Sequence, residues 1–93
     1  MKRQLLRSTA FIRAAKKLIK KNPQLSEDFQ NALKLLSGDA FDPQLKTHKL
    51  KGKLEGSWAC SVGYDLRIIF RFVQHEQSDA ILLESIGTHE EVY

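Results

Sequence analysis

This chain of 93 residues has one cysteine and no long apolar run, and each of these two features excludes a class of protein. The single cysteine, Cys60, excludes an intramolecular disulfide and a thiolate cluster for zinc. No apolar run approaches the roughly 20 residues that cross a bilayer, and the basic N-terminus leads into a mixed segment rather than a signal sequence. The length predicts one domain, residues 1–93, with a single core. Together these features predict a cytoplasmic protein that does not bind membranes.

Acidic residues are absent from the first 21 positions, which hold eight of the 15 lysines and arginines. A second basic cluster lies in "KTHKLKGK", and the net charge is +4. Basic patches attract polyanions and release counterions when they bind nucleic acid. For the first cluster, a solvated helix face is the favoured interpretation. For the second, contact with nucleic acid and a solvated loop have about equal support.

Helical periodicity covers the first half of the chain. In "STAFIRAAKKLIKKNP", Ser8 or Thr9 can cap a helix whose apolar residues recur on one face, and Pro23 marks its end. In "PQLSEDFQNALKLLSGD", Pro23 suits the first position of a second helix, which ends at Gly38. The short break between them predicts an antiparallel helical hairpin. Residues 39–56 are predicted to form a loop.

From residue 57 the period changes to that of β-strands. The segments "SWACSV", "LRIIFRFV" and "AILLESIG" predict three strands, with "QHEQSD" as a polar turn between the last two. The opening "KRQLLR" can form a first, short strand. The predicted fold class is therefore α+β, with the order β-α-α-β-β-β and a helical hairpin packed on one face of an antiparallel sheet.

The alternation in "LRIIFRFV" assigns Arg67 and Arg71 to the sheet face away from the helices. The turn "SVGYD" precedes this strand, "GTHEEVY" follows the last strand, and "THKLKGK" leads into the first strand of the meander. These three segments can converge at one end of the sheet. The convergence predicts a candidate cluster of His48, Asp65, Arg67, His89 and Tyr93, bordered by lysines.

Such a cluster suits chemistry on a phosphodiester. An arginine fork with neighbouring lysines can hold phosphate oxygens, and histidine and aspartate can move protons near neutral pH. The sequence has no Gly-rich phosphate loop, no HExxH and no specific metal-ligand spacing. RNA supplies its own nucleophile in the 2′-OH, so a base, an acid and phosphate stabilisation suffice without a metal.

Three motifs, "HKLKG", "SVGYDLRIIFRF" and "ESIGTHEEVY", resemble the RelE/ParE superfamily of toxins from bacterial type II toxin–antitoxin systems. The resemblance is greatest to the branch of RelE- and YafQ-like mRNA interferases, and it covers most of the chain. It implies a RelE-like fold and metal-independent, cofactor-free cleavage of mRNA in the A site of the ribosome. It also implies inhibition by a cognate antitoxin in a hetero-oligomeric complex.

The resemblance carries over to individual residues. His89 matches the principal catalytic histidine of the YafQ-like pattern, and Tyr93 matches its closing aromatic residue. His48 and Asp65 match a histidine and an aspartate of that group, and Arg67 resembles the arginine of the family's "RLVY"-type strand. We expect these five residues to be catalytic.

One departure from the family pattern is Ser61, which stands where the YafQ pattern has a further histidine. The proton-transfer set therefore differs from that pattern. Asp65 can equally serve the tight "GYD" turn alone. The basic residues predicted to bind RNA are Lys49, Lys51, Lys53 and Arg71.

Two other functions remain open from the sequence. A ParE-like toxin of the same fold would inhibit DNA gyrase and cleave nothing, and a nucleic-acid-binding module would need only the basic patches. Members of the ParE-like group do not need the histidine and aspartate set. The presence of that set favours the nuclease.

Overall fold

The structure, a computed structural model, describes residues 2–92. Helix α1 (Thr9–Lys21) begins where the Ser8 hydroxyl accepts a hydrogen bond from the Phe11 amide at 3.0 Å. A single 3-10 turn, Pro23–Leu25, separates α1 from helix α2 (Ser26–Gly38). The predicted helical hairpin is therefore confirmed, although Pro23 begins the 3-10 turn rather than α2 itself. The apolar stripes of both helices are buried against the sheet.

The sheet has five strands. They are β1 (Gln4–Arg7), β2 (His48–Lys49), β3 (Trp58–Val62), β4 (Leu66–His75) and β5 (Ser78–Thr88), in the spatial order β1-β5-β4-β3-β2. Strands β2 to β5 form an antiparallel meander, whereas β1 pairs in parallel with β5. A short helix, α3 (His89–Val92), follows β5 directly. The α+β class and the predicted element order are confirmed.

Two details of the sequence prediction are wrong. The sheet is mixed because β5 returns beside β1 in the same direction. Part of the predicted loop 39–56 forms β2, whose backbone pairs with β3. The predicted turn in "QHEQSD" is confirmed: its two central residues, Glu76 and Gln77, both have positive φ, which suits a right-twisted hairpin. The sequence made no prediction for the secondary structure after β5, where the structure has α3.

The core lies between the helical hairpin and one face of the sheet. Leu66, Ile68 and Phe70 of β4 are buried there, so the predicted alternation along this strand is confirmed. Cys60 lies on the same face without exposed surface, and burial raises the pKa of its thiol from 9.0 to about 12. A thiol so rarely ionised is a poor nucleophile, which leaves Cys60 a packing role. Among residues 2–92, no helix is long and apolar enough to cross a membrane.

Candidate functional site

The sheet face opposite α1 and α2, called the outer face below, carries Arg67, Arg71 and His48. Pairing between strands aligns Ser61, Arg67 and Gly87 in one row across β3, β4 and β5. Side chains of paired residues project to the same side of a sheet. Because Ile68 points into the core, Arg67 must point away from it. The prediction that Arg67 and Arg71 face away from the helices is therefore confirmed.

Arg67 is half-buried, and its guanidinium is partly fixed. Nη1 donates a hydrogen bond of 2.9 Å to the backbone carbonyl of Leu66. The other guanidinium N–H groups of an arginine can then be directed at an anion on the outer face. The site therefore offers a charged fork whose position is set by the strand that carries it.

The turn before β4 places Asp65 at the end of the strand that carries Arg67. Pairing of β4 with β5 ends at Leu66 and Thr88, and Asp65 and His89 come one residue beyond this pair. Gly63 shapes the turn because its φ is +58° and because a Cβ there would lie 2.8 Å from Asp28 Oδ2 of α2. The turn is thus held against α2, and it places Asp65 at the end of the sheet where His89 begins α3.

His89 is held at the first turn of α3 by a capping box. The Thr88 amide donates to Glu91 Oε1 at 2.8 Å, and the Glu91 amide donates to Thr88 Oγ1 at 3.3 Å. These hydrogen bonds, and more weakly the charges of Lys17 and Lys21, lower the pKa of Glu91 below its usual value. The capping box therefore fixes the start of a helix that would otherwise be too short to persist.

Close packing folds α3 back onto the sheet beside Arg67. A Cβ on Gly87 would lie 3.1 Å from Glu91 Cβ and 3.2 Å from Val92 Cγ1. Gly87 is also the pairing partner of Arg67. The absence of a side chain at this position therefore allows α3 to approach the arginine closely.

His48 lies on the outer face but two strands away from Arg67. It pairs with Ala59, which is in the row of Ile69. Two strand spacings of about 4.8 Å and a two-residue offset of about 3.4 Å per residue put the His48 and Arg67 Cα atoms roughly 12 Å apart. His48 Nδ1 lies 3.1 Å from the Lys46 carbonyl oxygen, which in the neutral ring leaves the lone pair on Nε2. The structure therefore places His48 apart from Arg67, on a different strand of the same face.

The segment between β2 and β3 carries Lys51 and Lys53, and Ser57 anchors it. The Leu50 amide donates to the Ser57 carbonyl at 3.0 Å, and the Ser57 amide donates to the Leu54 carbonyl at 3.0 Å. These two bonds close the segment into a short loop at the entrance to β3, with both lysine side chains exposed.

A polar network ties this segment to the centre of the sheet. The buried Ser57 hydroxyl donates to Glu84 Oε1 at 2.6 Å and accepts from Arg71 Nη2 at 3.4 Å. Arg71 Nε also lies 3.8 Å from Glu84 Oε1. Glu84 is skipped in the pairing between β4 and β5, which makes it the extra residue of a β-bulge. Arg71 is thus on the outer face, as predicted, but it already has an acidic partner.

Lys49 does not join the other lysines. It pairs with Trp58, whose side chain packs on the helical side of the sheet. The Lys49 Nζ lies 5.4 Å from the centre of the Trp58 ring. Its neighbour His48 therefore points to the outer face while Lys49 points away from it. The structure separates Lys49 from Lys51 and Lys53. Tyr93, the fifth predicted catalytic residue, lies outside the described residues.

The acidic, histidine and cysteine side chains of residues 2–92 do not form a group of three or more that could hold a metal ion. At one end of the sheet, Arg67 lies on the outer face, and Asp65 and His89 directly follow the last residue pair of β4 and β5. This set can bind a phosphodiester and exchange protons with it.

Comparison with known proteins identifies the family. Residues 3–93 match the family model of YafQ, the bacterial toxin of a type II toxin–antitoxin system. The chain belongs to the YafQ toxin family. A search of curated protein sequences finds no match.

Solved structures of YafQ and of a related toxin share the fold. YafQ from E. coli strain BL21(DE3) is 19% identical, with a TM-score of 0.79 over 98% of each chain. YafQ in the E. coli DinJ–YafQ toxin–antitoxin complex is 20% identical, with a TM-score of 0.76 over 100% of this chain and 99% of that one. A chain of the YoeB–YefM complex from Staphylococcus aureus is 18% identical, with a TM-score of 0.70 over 96% and 99%. At these identities the likeness establishes the RelE-like fold and no more.

Sequence reasoning missed several residues that build this YafQ-family site. The capping box of Thr88 and Glu91 is visible as the spacing T-x-x-E in "THEE", a known signal for a helix start. The network of Ser57 and Glu84 has no such signal, because it depends on a β-bulge that strand alternation does not reveal. Gly87 could only be identified once α3 was known to fold back on β5.

We predict that Glu91→Ala speeds hydrogen exchange of the amides in residues 88–92 by roughly three- to tenfold, because the capping box is lost and α3 frays. The folded pKa of Glu91 is lowered, so the cap is intact above the ordinary pKa of the carboxyl and is lost as pH falls through the lowered value. Hydrogen exchange followed by NMR or mass spectrometry measures the effect. Glu90→Ala is the matched control; equal effects from both substitutions would contradict the role of the cap.

Proposed function

We propose that this YafQ-family toxin is a ribosome-dependent, metal-independent endoribonuclease that cleaves mRNA in the A site and arrests translation. The observation that supports the proposal is the pairing of β4 with β5, which puts Arg67, Asp65 and His89 within two residues of the same end of the sheet. A toxin that only bound a protein target would not need two proton-transfer groups beside an arginine. The exposed Lys51 and Lys53 add positive charge for the RNA backbone.

The reaction follows from the chemistry of RNA. A base removes the proton of the 2′-OH, the 2′-oxygen forms a bond to phosphorus, and the bond to the 5′-oxygen breaks as an acid protonates that oxygen. The products are a 2′,3′-cyclic phosphate and a 5′-OH end. We assign charge stabilisation at the phosphate to Arg67 and one of the two proton transfers to His89. His48 and Asp65 are the candidate partners for the other proton transfer, and Tyr93 is assigned to positioning.

The same surface would need a partner that keeps it inactive. The E. coli YafQ and S. aureus YoeB structures contain the antitoxins DinJ and YefM, respectively. By analogy, we propose that a cognate antitoxin with an acidic segment covers the outer face and forms a hetero-oligomer with the toxin. A toxin that acts on translating ribosomes acts in the cytoplasm, which agrees with the prediction from the sequence.

Expression of the toxin alone is expected to arrest growth within one generation, because ribosome-bound messages are cut faster than they are replaced. Co-expression with the cognate antitoxin is expected to restore growth. The measurement is the growth curve after induction, with cleavage of a reporter message followed by primer extension. Normal growth with soluble, folded toxin and an intact reporter would exclude the proposed activity.

Neutralising the exposed lysines tests their contact with RNA. Each backbone contact of a single strand contributes about 0.7 to the slope of log affinity against log salt concentration. We predict that Lys51→Ala with Lys53→Ala lowers the slope for programmed ribosomes by about 1.4 units, 0.7 for each lysine. Lys49→Ala is the matched control and should leave the slope unchanged, since Lys49 lies over Trp58 on the opposite side of the sheet. A larger effect at Lys49 would restore the prediction made from the sequence.

A further inference from the structure

An open groove of about 530 Å³ lies between the lysine-bearing segment and α3. Its walls are Leu50, Lys51, Lys53 and Leu54 on one side and Val92 on the other. The three apolar side chains are all half-buried, and the two lysines are exposed. The groove is within the size range of small-ligand sites, roughly 300–1,000 Å³. Its surface is thus apolar inside and positively charged at the rim.

The groove adjoins the candidate site. Val92 Cγ1 lies 3.2 Å from the position of a Cβ on Gly87, and Gly87 is the pairing partner of Arg67. Paired residues in an antiparallel sheet have Cα atoms about 5 Å apart. A nucleotide bound in the groove would therefore neighbour a phosphodiester bound at Arg67.

The chemistry of the groove selects its occupant. A nucleobase has two apolar faces that pack between aliphatic side chains, and its backbone carries negative charge that Lys51 and Lys53 can hold. We propose that this groove binds the base of a nucleotide flanking the cleaved phosphodiester in single-stranded mRNA. Leu50, Leu54 and Val92 grip the base, and the lysines hold its phosphates. Apolar walls contact every base, so the site tolerates different sequences while it fixes the register of cleavage.

This inference rests on the proposed function, and a binding experiment can test it separately from cleavage. A message with a 2′-deoxynucleotide at the scissile position lacks the nucleophile and stays intact. Ribosomes programmed with this message are titrated with toxin, and single abasic nucleotides replace each base of the A-site codon in turn. Loss of one stacked base is expected to weaken binding about tenfold at one flanking position.

The variant Leu54→Ala, tested with the same abasic messages, completes a double-mutant cycle. If Leu54 grips the base, the abasic penalty should fall to less than threefold in this variant, because the interaction is already lost. Ile12→Ala is the matched control, since Ile12 is an exposed aliphatic residue of α1 outside the groove, and it should retain the full penalty. These two results together would support the proposal.

Other outcomes overturn it. A toxin that binds all abasic messages equally well, or a penalty undiminished by Leu54→Ala, would show that no base occupies the groove. If Leu54→Ala weakens binding of the antitoxin but leaves the abasic penalty unchanged, the groove serves the antitoxin instead. One further outcome concerns the proposed function and not the groove. A wild-type toxin that shows the abasic penalty, and loses it in Leu54→Ala, yet fails to cut the all-ribonucleotide message would refute the nuclease and still support the base site.

Discussion

Replacing His89 by glutamine is expected to slow single-turnover cleavage on programmed ribosomes by about 10²- to 10⁴-fold, the usual contribution of one positioned acid or base. Histidine is the side chain that most readily exchanges protons near neutral pH, and glutamine keeps its size and hydrogen bonding without that ability. The capping box and the close approach at Gly87 fix His89 at the end of the sheet, beside the strand that carries Arg67. The loss should therefore appear in the rate and not in binding.

The histidine at the opposite end of β4 provides the control for this substitution. His75 lies beside the hairpin turn and contacts the neighbouring Glu76 at 3.8 Å. His75→Gln should retain the wild-type rate, and both variants should bind antitoxin and ribosomes normally. Rates for His89→Gln and wild type that agree within a few-fold would mean that His89 has no catalytic role.

Arg67→Ala is expected to reduce cleavage by about 10²- to 10³-fold, similar to the loss of one donor that stabilises a transition-state oxyanion. The guanidinium lies on the outer face and is partly held by the Leu66 carbonyl, so its charge is ready to receive the phosphate. The fold should persist, because Arg67 is half-buried and belongs to no part of the core. The measurement is the single-turnover rate at saturating toxin.

Two further variants show whether the loss in Arg67→Ala comes from the reacting phosphate. Arg67→Lys should recover only part of the rate, since lysine keeps the charge but loses the planar fork. Arg13→Ala, on the exposed face of α1, should have no effect beyond a small change in salt dependence. If Arg67→Ala weakens ribosome binding as much as it lowers the rate, Arg67 binds RNA generally and does not act on the reacting phosphate.

The sequence was most informative where one local pattern determines the outcome. Ser8 caps α1 as its residue type and position indicate. The alternation along β4 correctly assigned Arg67 and Arg71 to the outer face, because a two-residue period in a strand with one buried face has only one stable orientation. The meeting of "SVGYD" and "GTHEEVY" at one end of the sheet follows from the same antiparallel hairpin.

Features that depend on contacts between distant segments could not be predicted from the sequence. The parallel direction of β1 follows from where β5 returns. The β-bulge at Glu84 gives Arg71 an acidic partner 13 residues later in the chain, and no local pattern marks it. Lys49 was grouped with Lys51 and Lys53 because the segment was predicted to be a loop. The two residues of β2 impose an alternation that sends Lys49 to the other side.

The most direct test of the central claim is primer extension on a defined message in a purified translation system. The proposed function predicts a new 5′ end within the codon in the A site when wild-type toxin is added, and none when ribosomes are left out. It also predicts that excess antitoxin abolishes the cut, and that His89→Gln leaves the message intact over the same time. An uncut message in the presence of folded wild-type toxin, together with inhibition of purified DNA gyrase, would contradict the account and identify a ParE-like inhibitor instead.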